Sequence, residues 1–232
     1  MDRFHALWSK FHSGSVPVSH LLTEYTGWNL TRFHLLPDGR NAVYNHNELR
    51  GLLDRFNTLG TEVLGDGAAC WIAVAQIGGL DGYSNDSETV VAEKHSLRAR
   101  LRRLKDLYGM EMRWEFHSTS DQVSYSVFAA ETVWRKQAFN RLFLHLYRER
   151  LTDILWMNPE TGAIFAPYDA GADLSAPTPE ALIDIVSRYY GWLPDNGTGF
   201  LQFNPKQMKS ASFTVGKSCA AAIQKAINPP QD

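Results

Sequence analysis

Two carboxylates lie close together in the C-terminal third of the sequence, at Asp169 and Asp173. They follow a predicted strand, and we interpret the segment from Pro167 to Asp173 as a loop. Paired carboxylates could bind a divalent cation or share general acid–base chemistry. No third ligand is evident nearby in the sequence, so the favoured interpretation is that Asp169 caps a turn and that the loop leads into a helix.

The histidines do not form a recognisable metal-binding pattern. His5, His12 and His20 are separated by seven and eight residues, and no His-x3-His or His-Glu-x2-His motif occurs. We therefore predict no metal site and no cofactor. The sequence also lacks a Gly-x-Ser-x-Gly motif, and we predict no catalytic residue. Folding can bring a distant histidine to Asp169 and Asp173, so a hydrolase that uses these groups is kept as the alternative.

Two further segments could in principle contact phosphate. Ala211-x4-Gly216-Lys217-Ser218 resembles a degenerate phosphate loop, but its first glycine is Ala211 and only 14 residues follow Ser218. Residues 94–105 carry six positive charges, which could meet phosphate or an acidic protein surface. Leucines at helical spacing favour a solvated helix face for this segment. The net charge of −2 also argues against nucleic acid as the main partner.

Length and composition are those of an ordinary globular protein. The 232 residues can bury a full core without metals or disulfides. We predict one domain over residues 1–195 and a C-terminal extension over residues 196–232. Cys70 lies in an apolar run and is predicted to be a buried, reduced thiol. No apolar run approaches the ~20 residues that span a bilayer, and no signal peptide is recognised. We expect a cytoplasmic protein with no membrane partner.

Hydrophobic periodicity predicts an α+β fold, with a mainly antiparallel sheet built from hairpins and with helices packed against it. The clearest predicted hairpin pairs residues 110–117 with residues 122–129. A second hairpin pairs residues 152–156 with residues 163–167. Further strands are predicted over residues 28–36, 40–44 and 69–77, the last of them buried and central.

The predicted helices are marked by caps and by apolar stripes. Asn45 caps one helix with Glu48 as its capping-box partner, and Gly65 ends it. Thr178 caps another, with Pro179 in its first turn. The remaining helices are predicted in two short pieces over residues 1–26 and over residues 96–108, 133–151 and 217–227, and residues 78–87 are predicted to form a loop.

The segment from Asp153 to Leu193 resembles an uncharacterised bacterial family of small α+β proteins. That family ends with a hairpin, a Tyr-Asp-x2-Gly-x-Asp motif, a helix, a tyrosine and Trp-Leu or Trp-Ile. The resemblance covers roughly residues 10–195, and only its last forty residues are specific. The residues that carry it are Asp153 to Trp156, Ile164 to Asp173, Leu182, Tyr189, Tyr190, Trp192 and Leu193.

The resemblance implies an immunity-type role, because similar proteins are associated with bacterial toxin systems. Together with the high aromatic content, it leads us to expect a non-enzymatic protein that binds a protein partner, a toxin, and neutralises it. The predicted binding surface gathers Tyr168, Asp169, Asp173 and Trp192, with the loop over residues 78–87 beside them. We also expect Tyr189 and Trp192 to lock in place the capped helix that follows the hairpin.

Overall fold

The computed structural model describes residues 2–24, 30–36, 40, 42–77, 110–117, 124–149, 153–169 and 171–194. The helices are α1 (Arg3–Phe11), α2 (His46–Leu64), α3 (Asn140–Glu149) and α4 (Pro179–Arg188), with 3₁₀ helices at Ser19–Glu24 and Tyr190–Trp192. The strands are β1 (Leu30–His34), β2 (Ala69–Ile77), β3 (Glu111–His117), β4 (Ser124–Val133), β5 (Ile154–Met157), β6 (Ile164–Tyr168) and β7 (Gly171–Ser175).

The strands form one seven-stranded sheet in the order β1-β7-β6-β5-β2-β4-β3. Each neighbouring pair is antiparallel. The predicted α+β class is therefore confirmed, as are the hairpins β3–β4 and β5–β6. The central position of β2, between β5 and β4, is also as predicted.

The sheet is covered on both faces, which explains why β2 is apolar along its length. Side chains of a strand alternate between the faces of a sheet. Cys70, Ile72 and Val74 therefore point to one face, and Trp71 and Ala73 point to the other. We call the first the helical face, because it packs against α2, α3 and α4. The second is the N-terminal face, which packs against α1 and the first 3₁₀ helix.

Local sequence determines where the two best-defined helices begin. The Asn45 side chain accepts hydrogen bonds from the backbone N–H groups of Asn47 and Glu48, so α2 is capped as predicted. The Thr178 side chain accepts one from Ala181 at the start of α4. Within α2, Gly60 lets the helix approach the indole of Trp134, which a side chain at that position would overlap.

The predicted helix over residues 133–151 is wrong at its start. Strand β4 continues to Val133, a turn follows, and the helix begins only at Asn140. The backbone of Gln137 adopts a left-handed conformation with φ of 71°, which a continuous helix cannot include. The apolar spacing of the helix is nevertheless correct, since Leu142, Phe143 and Leu146 are buried.

Two further predictions fail at the edge of the sheet. No described residue between 40 and 44 belongs to a strand, because β1 pairs with β7 instead. The predicted loop ending at Asp173 is also wrong, since β7 begins at Gly171 and pairs with strands on both sides. The predicted loop 78–87, the helices 96–108 and 217–227, and the segment 211–218 lie outside the described residues.

In the described part of the chain, no helix is long and apolar enough to cross a membrane. Cys70 is buried and free, as predicted, and burial raises the pKa of its thiol to about 11.

Candidate functional site

Asp173 lies in the middle of β7 and is almost fully buried. Its two carboxylate oxygens accept hydrogen bonds from Nε and Nη2 of Arg32, each at 2.7 Å. The two residues are register partners on β7 and β1. Burial raises the pKa of Asp173, while the Arg32 guanidinium acts in the opposite direction. The carboxylate in turn raises the pKa of Arg32. This is a two-hydrogen-bond ion pair between adjacent strands.

Tyr168 packs against the Arg32 side of this ion pair. Its ring lies beneath the Arg32 guanidinium, 5.3 Å from ring centre to Cζ. Its hydroxyl donates a hydrogen bond of 3.2 Å to the carbonyl of Phe33 on β1. A side chain at Gly171 would collide with this hydroxyl and with the Phe33 carbonyl, so the packing requires glycine there. Burial raises the pKa of Tyr168. Tyr168 and Asp173 therefore hold the edge of the sheet together.

Asp169 has a different environment from Asp173. It is exposed at the tip of the β6–β7 hairpin, while both oxygens of Asp173 are bound to Arg32. The two carboxylates predicted from the sequence thus lie on one hairpin. They do not face a common site that could bind a substrate or a cation, because Asp173 is bound to Arg32. Within the described residues, no group of three or more His, Cys, Asp or Glu side chains is arranged to hold a metal ion.

Trp192 lies half-buried after α4 and stacks on Tyr189, with ring centres 4.7 Å apart. The Tyr189 hydroxyl donates to Glu62 on α2 at 2.7 Å, and Arg188 forms an ion pair with the same carboxylate at 2.6 Å. The hydrogen bond from Tyr189 and the ion pair lower the pKa of Glu62 against the effect of burial. This network fixes the end of α4 to α2, a partner that the sequence analysis did not specify for Tyr189 and Trp192.

Arg55 on α2 contacts Trp192 and was not singled out by sequence reasoning. Its guanidinium carbon lies 5.0 Å from the centre of the Trp192 ring. Its Nη1 donates to the carbonyl of Leu35 at 3.2 Å. Leu35 directly follows His34, whose register partner is Gly171 at the β6–β7 turn. Trp192 and that turn therefore lie at the same end of the sheet.

We call this region the turn-end surface. Its members are exposed or half-buried, and they come from β1, α2, the β6–β7 hairpin and the segment after α4. It contains three of the four predicted binding residues, while Asp173 lies beneath it in the ion pair. The turn-end surface has a helical-face part, Arg55 and Trp192, and a part formed by the ends of β1 and β6, His34, Tyr168 and Asp169, in which Tyr168 lies with Arg32 on the N-terminal face.

Arg55 differs electrostatically from the other half-buried arginines. Arg32 is bound to Asp173, Arg40 to Glu48 at 3.2 Å, and Arg113 to Asp2 at 2.9 Å. Arg55 forms no ion pair with any residue that the structure describes. Burial lowers the pKa of its guanidinium. The turn-end surface thus presents a cation on an aromatic ring, with no carboxylate partner among the described residues.

A second polar cluster lies on the N-terminal face, and no sequence motif marks it. Nδ1 of His20 lies 2.5 Å from Oδ1 of Asp153, and Nε2 of His20 lies 3.0 Å from the hydroxyl of Tyr125. Ser19 donates a further hydrogen bond to Asp153 at 3.1 Å. The backbone of Asp153 has φ of 58°, a left-handed conformation that carries strain in a residue other than glycine.

A carboxylate, an imidazole and a hydroxyl in this order are the components of a general-base relay. Here, however, the hydroxyl belongs to Tyr125, which is 1% exposed. Both ring nitrogens of His20 therefore contact groups of the protein, and the hydroxyl that a relay would activate is inside the core. The cluster joins the first 3₁₀ helix to β4 and to the start of β5. His20, Tyr125 and Asp153 are far apart in sequence, so their contact becomes evident only in the folded structure.

The model of a domain of unknown function, DUF3885, matches residues 18–197. The chain belongs to the DUF3885 family. Neither the comparison with curated proteins nor that with solved structures gives a match. The resemblance to an uncharacterised family is thereby confirmed.

The DUF3885 match covers most of the described fold, from the first 3₁₀ helix to the residues after Trp192. It includes every residue of the turn-end surface, the Arg32–Asp173 pair and the cluster of His20, Tyr125 and Asp153. In this member the hairpin motif has the spacing Tyr-Asp-x-Gly-x-Asp, since only Ala170 separates Asp169 from Gly171. The predicted domain boundaries at residues 1–195 and 196–232 stay a prediction.

Proposed function

We propose that this DUF3885 protein is a non-enzymatic, cytoplasmic binding protein of the immunity type, which neutralises a bacterial toxin through its turn-end surface. The observation that carries the proposal is the position of Arg55. A half-buried guanidinium lies on the Trp192 ring and has no carboxylate partner among the described residues. Trp, Tyr and Arg are the residue types that dominate binding energy at protein interfaces.

The support beneath this surface also favours binding. Tyr189 and Arg188 anchor α4 to Glu62 of α2, and the β6–β7 hairpin is braced by the Arg32–Asp173 pair. Interface side chains that are already held in place lose less conformational entropy when a partner binds. The exposed Asp169 at the hairpin tip adds a charged group at the same end of the sheet, and charged groups are usual in the polar rim of an interface.

The hydrolase alternative receives less support from the geometry. It requires Asp173 to act on a substrate together with Asp169, whereas both Asp173 oxygens accept hydrogen bonds from Arg32. The Asp153–His20 pair is the other place where a histidine meets an aspartate, but its relay ends on the buried Tyr125. We therefore propose a protein partner, and no nucleic-acid or membrane partner.

Co-expression with the product of the adjacent gene tests the proposal. The wild-type chain should protect cells from that product and should co-purify with it. Arg55→Ala and Trp192→Ala should each weaken binding by roughly 10- to 100-fold, as expected for central interface residues. Arg50→Ala is the matched control, because Arg50 is an exposed arginine on the same helix, and it should leave binding and protection unchanged.

Three outcomes would count against this function. The neighbouring product is not toxic, or it is toxic but the chain neither binds it nor protects against it, or the chain binds it equally well with and without Arg55 and Trp192. Urea unfolding of each variant shows whether a loss of binding reflects a loss of folded protein. This control matters most for Trp192, which also packs against the core.

A further inference from the structure

We infer that the partner places one carboxylate, the side chain of an aspartate or a glutamate, on the Arg55 guanidinium at the edge of the Trp192 ring. This inference rests on the proposed function and names the chemistry of the partner group. It assigns the centre of the turn-end surface to Arg55, which acts as the recognition residue, with Trp192 as the platform beneath it.

The first argument is the number of unused hydrogen-bond donors. A guanidinium has five N–H donors in a rigid, planar fork. One nitrogen of Arg55, Nη1, donates to the carbonyl of Leu35, and in the described part of the chain no side-chain oxygen accepts from the others. Carboxylates bind such a fork through two parallel hydrogen bonds. The free donors of Arg55 therefore match the group that we propose.

The second argument compares Arg55 with the half-buried arginines of the same fold. Arg32, Arg40 and Arg113 each contact a carboxylate of the chain at 2.7 to 3.2 Å. Partial removal of a charge from water is unfavourable unless a counter-charge is supplied. Burial accordingly lowers the pKa of Arg55. A partner carboxylate would supply the counter-charge that the other three already have.

The third argument concerns the class of partner. Nucleic-acid binding depends on several cations that neutralise several phosphates, and among the described half-buried arginines Arg32, Arg40 and Arg113 are already bound to carboxylates. A cation on an aromatic ring with no counter-charge among the described residues is instead suited to one acidic side chain at an interface.

The experiment measures binding of the purified adjacent-gene product, in an inactivated form, to the wild-type chain and to three variants. Arg55→Gln should weaken binding by about 30-fold or more, mainly through faster dissociation. Arg55→Lys should give an intermediate loss, because an ammonium group does not form the planar two-bond contact. Arg50→Gln should bind within about twofold of the wild type.

A second series replaces each surface Asp and Glu of the partner by Asn or Gln. One of these changes should reproduce the Arg55→Gln loss and should add little when combined with it, which is the signature of direct contact. Equal binding by Arg55→Gln, with Trp192→Ala still weakened, would overturn the inference and leave the proposed function standing. Absence of binding by the wild-type chain would overturn both.

Sedimentation of the chain alone tests whether a second copy of this chain, and not a toxin, occupies the surface. If the wild-type chain forms a dimer that Arg55→Gln dissociates, a second copy of this chain supplies the carboxylate and the inference is overturned. The expected result is that the chain sediments as a monomer with and without the substitution, which excludes a second copy as the source of the carboxylate and supports a separate protein partner. Equal unfolding midpoints for all Arg55 and Arg50 variants are required, so that changes in binding report on contact alone.

Discussion

Arg32 on the N-terminal face and Arg55 on the helical face are both half-buried, but they differ in what balances their charge. Arg32 contacts the buried carboxylate of Asp173. Helix α2 also carries a paired charge, since Glu62 contacts Arg188, but its Arg55 lies on Trp192 with no ion pair to any described residue.

This difference separates structural charges from a charge that is available for binding. The Arg32–Asp173 pair joins β1 to β7 and specifies their register, because a slip would leave a buried carboxylate without its partner. Among the described residues Arg55 joins no two elements by charge, and the carbonyl of Leu35 accepts its hydrogen bond. A stability experiment and a binding experiment should therefore rank the two arginines in opposite orders.

The largest expected effect is that of Arg32→Met. It leaves the Asp173 carboxylate buried and unpaired, which should lower the free energy of unfolding by about 3–5 kcal/mol. Urea unfolding followed by tryptophan fluorescence measures the change. Because protonation removes the unpaired charge, the deficit relative to the wild type should shrink as the pH falls.

The double variant Arg32→Met with Asp173→Leu provides the control for that prediction. It removes both charges, so its stability should return to within about 1 kcal/mol of the wild type. A single variant that is as stable as the wild type at pH 7 would mean that the pair is not needed to hold β1. In that case Arg32 would resemble Arg55, and the contrast between the two arginines would be lost.

The next effect depends on pH and concerns His12, which is buried on the N-terminal face. Its Nε2 lies 2.7 Å from the carbonyl of Gly162, and burial lowers its pKa from 6.5 to about 4. The folded state therefore holds the neutral ring, whereas the unfolded chain takes up a proton below about pH 6.5. Stability should be complete above that pH and should fall by up to about 3 kcal/mol as the pH drops to about 4.

His12→Gln keeps a side-chain donor for Gly162 but cannot titrate. Its stability should change little between pH 6.5 and pH 4.5, where the wild type loses most of the histidine contribution. The lowered pKa values of Asp2, Glu48 and Glu62 act at lower pH, because those carboxylates are protonated only below their ordinary values. Equal pH profiles for the two proteins would show that His12 is not buried in the neutral form.

Local sequence signals predicted much of this fold. The caps at Asn45 and Thr178 and the hairpins β3–β4 and β5–β6 depend on residues that are close in sequence. The failed predictions depend on distant residues. A charged residue such as Asp173 indicates a loop unless Arg32, 141 residues earlier, is known to face it. Similarly, β1 was predicted to pair with the next segment because its true partner β7 is far along the chain.

The candidate site could be predicted only in part. Tyr168, Asp169 and Trp192 were predicted from a family resemblance, and they do lie at one end of the sheet. Arg55 was missed because periodicity shows only that it is a polar position on an amphipathic helix. Which polar residue of α2 lies on Trp192, and which one lacks a counter-charge, depends on how α2 and α4 pack together.

The smallest expected effect is that of Arg55→Gln on the isolated chain, and it tests the other half of the comparison. The change loses a cation–π contact of about 0.5–1 kcal/mol with Trp192 but also removes a partly desolvated charge that has no counter-ion among the described residues. These contributions oppose each other, so the free energy of unfolding should stay within about 0.5 kcal/mol of the wild type. Urea unfolding in parallel with Arg32→Met and Arg50→Gln measures this on one scale. A loss above about 2 kcal/mol would make Arg55 a structural residue like Arg32, and the reason to expect a partner carboxylate would disappear.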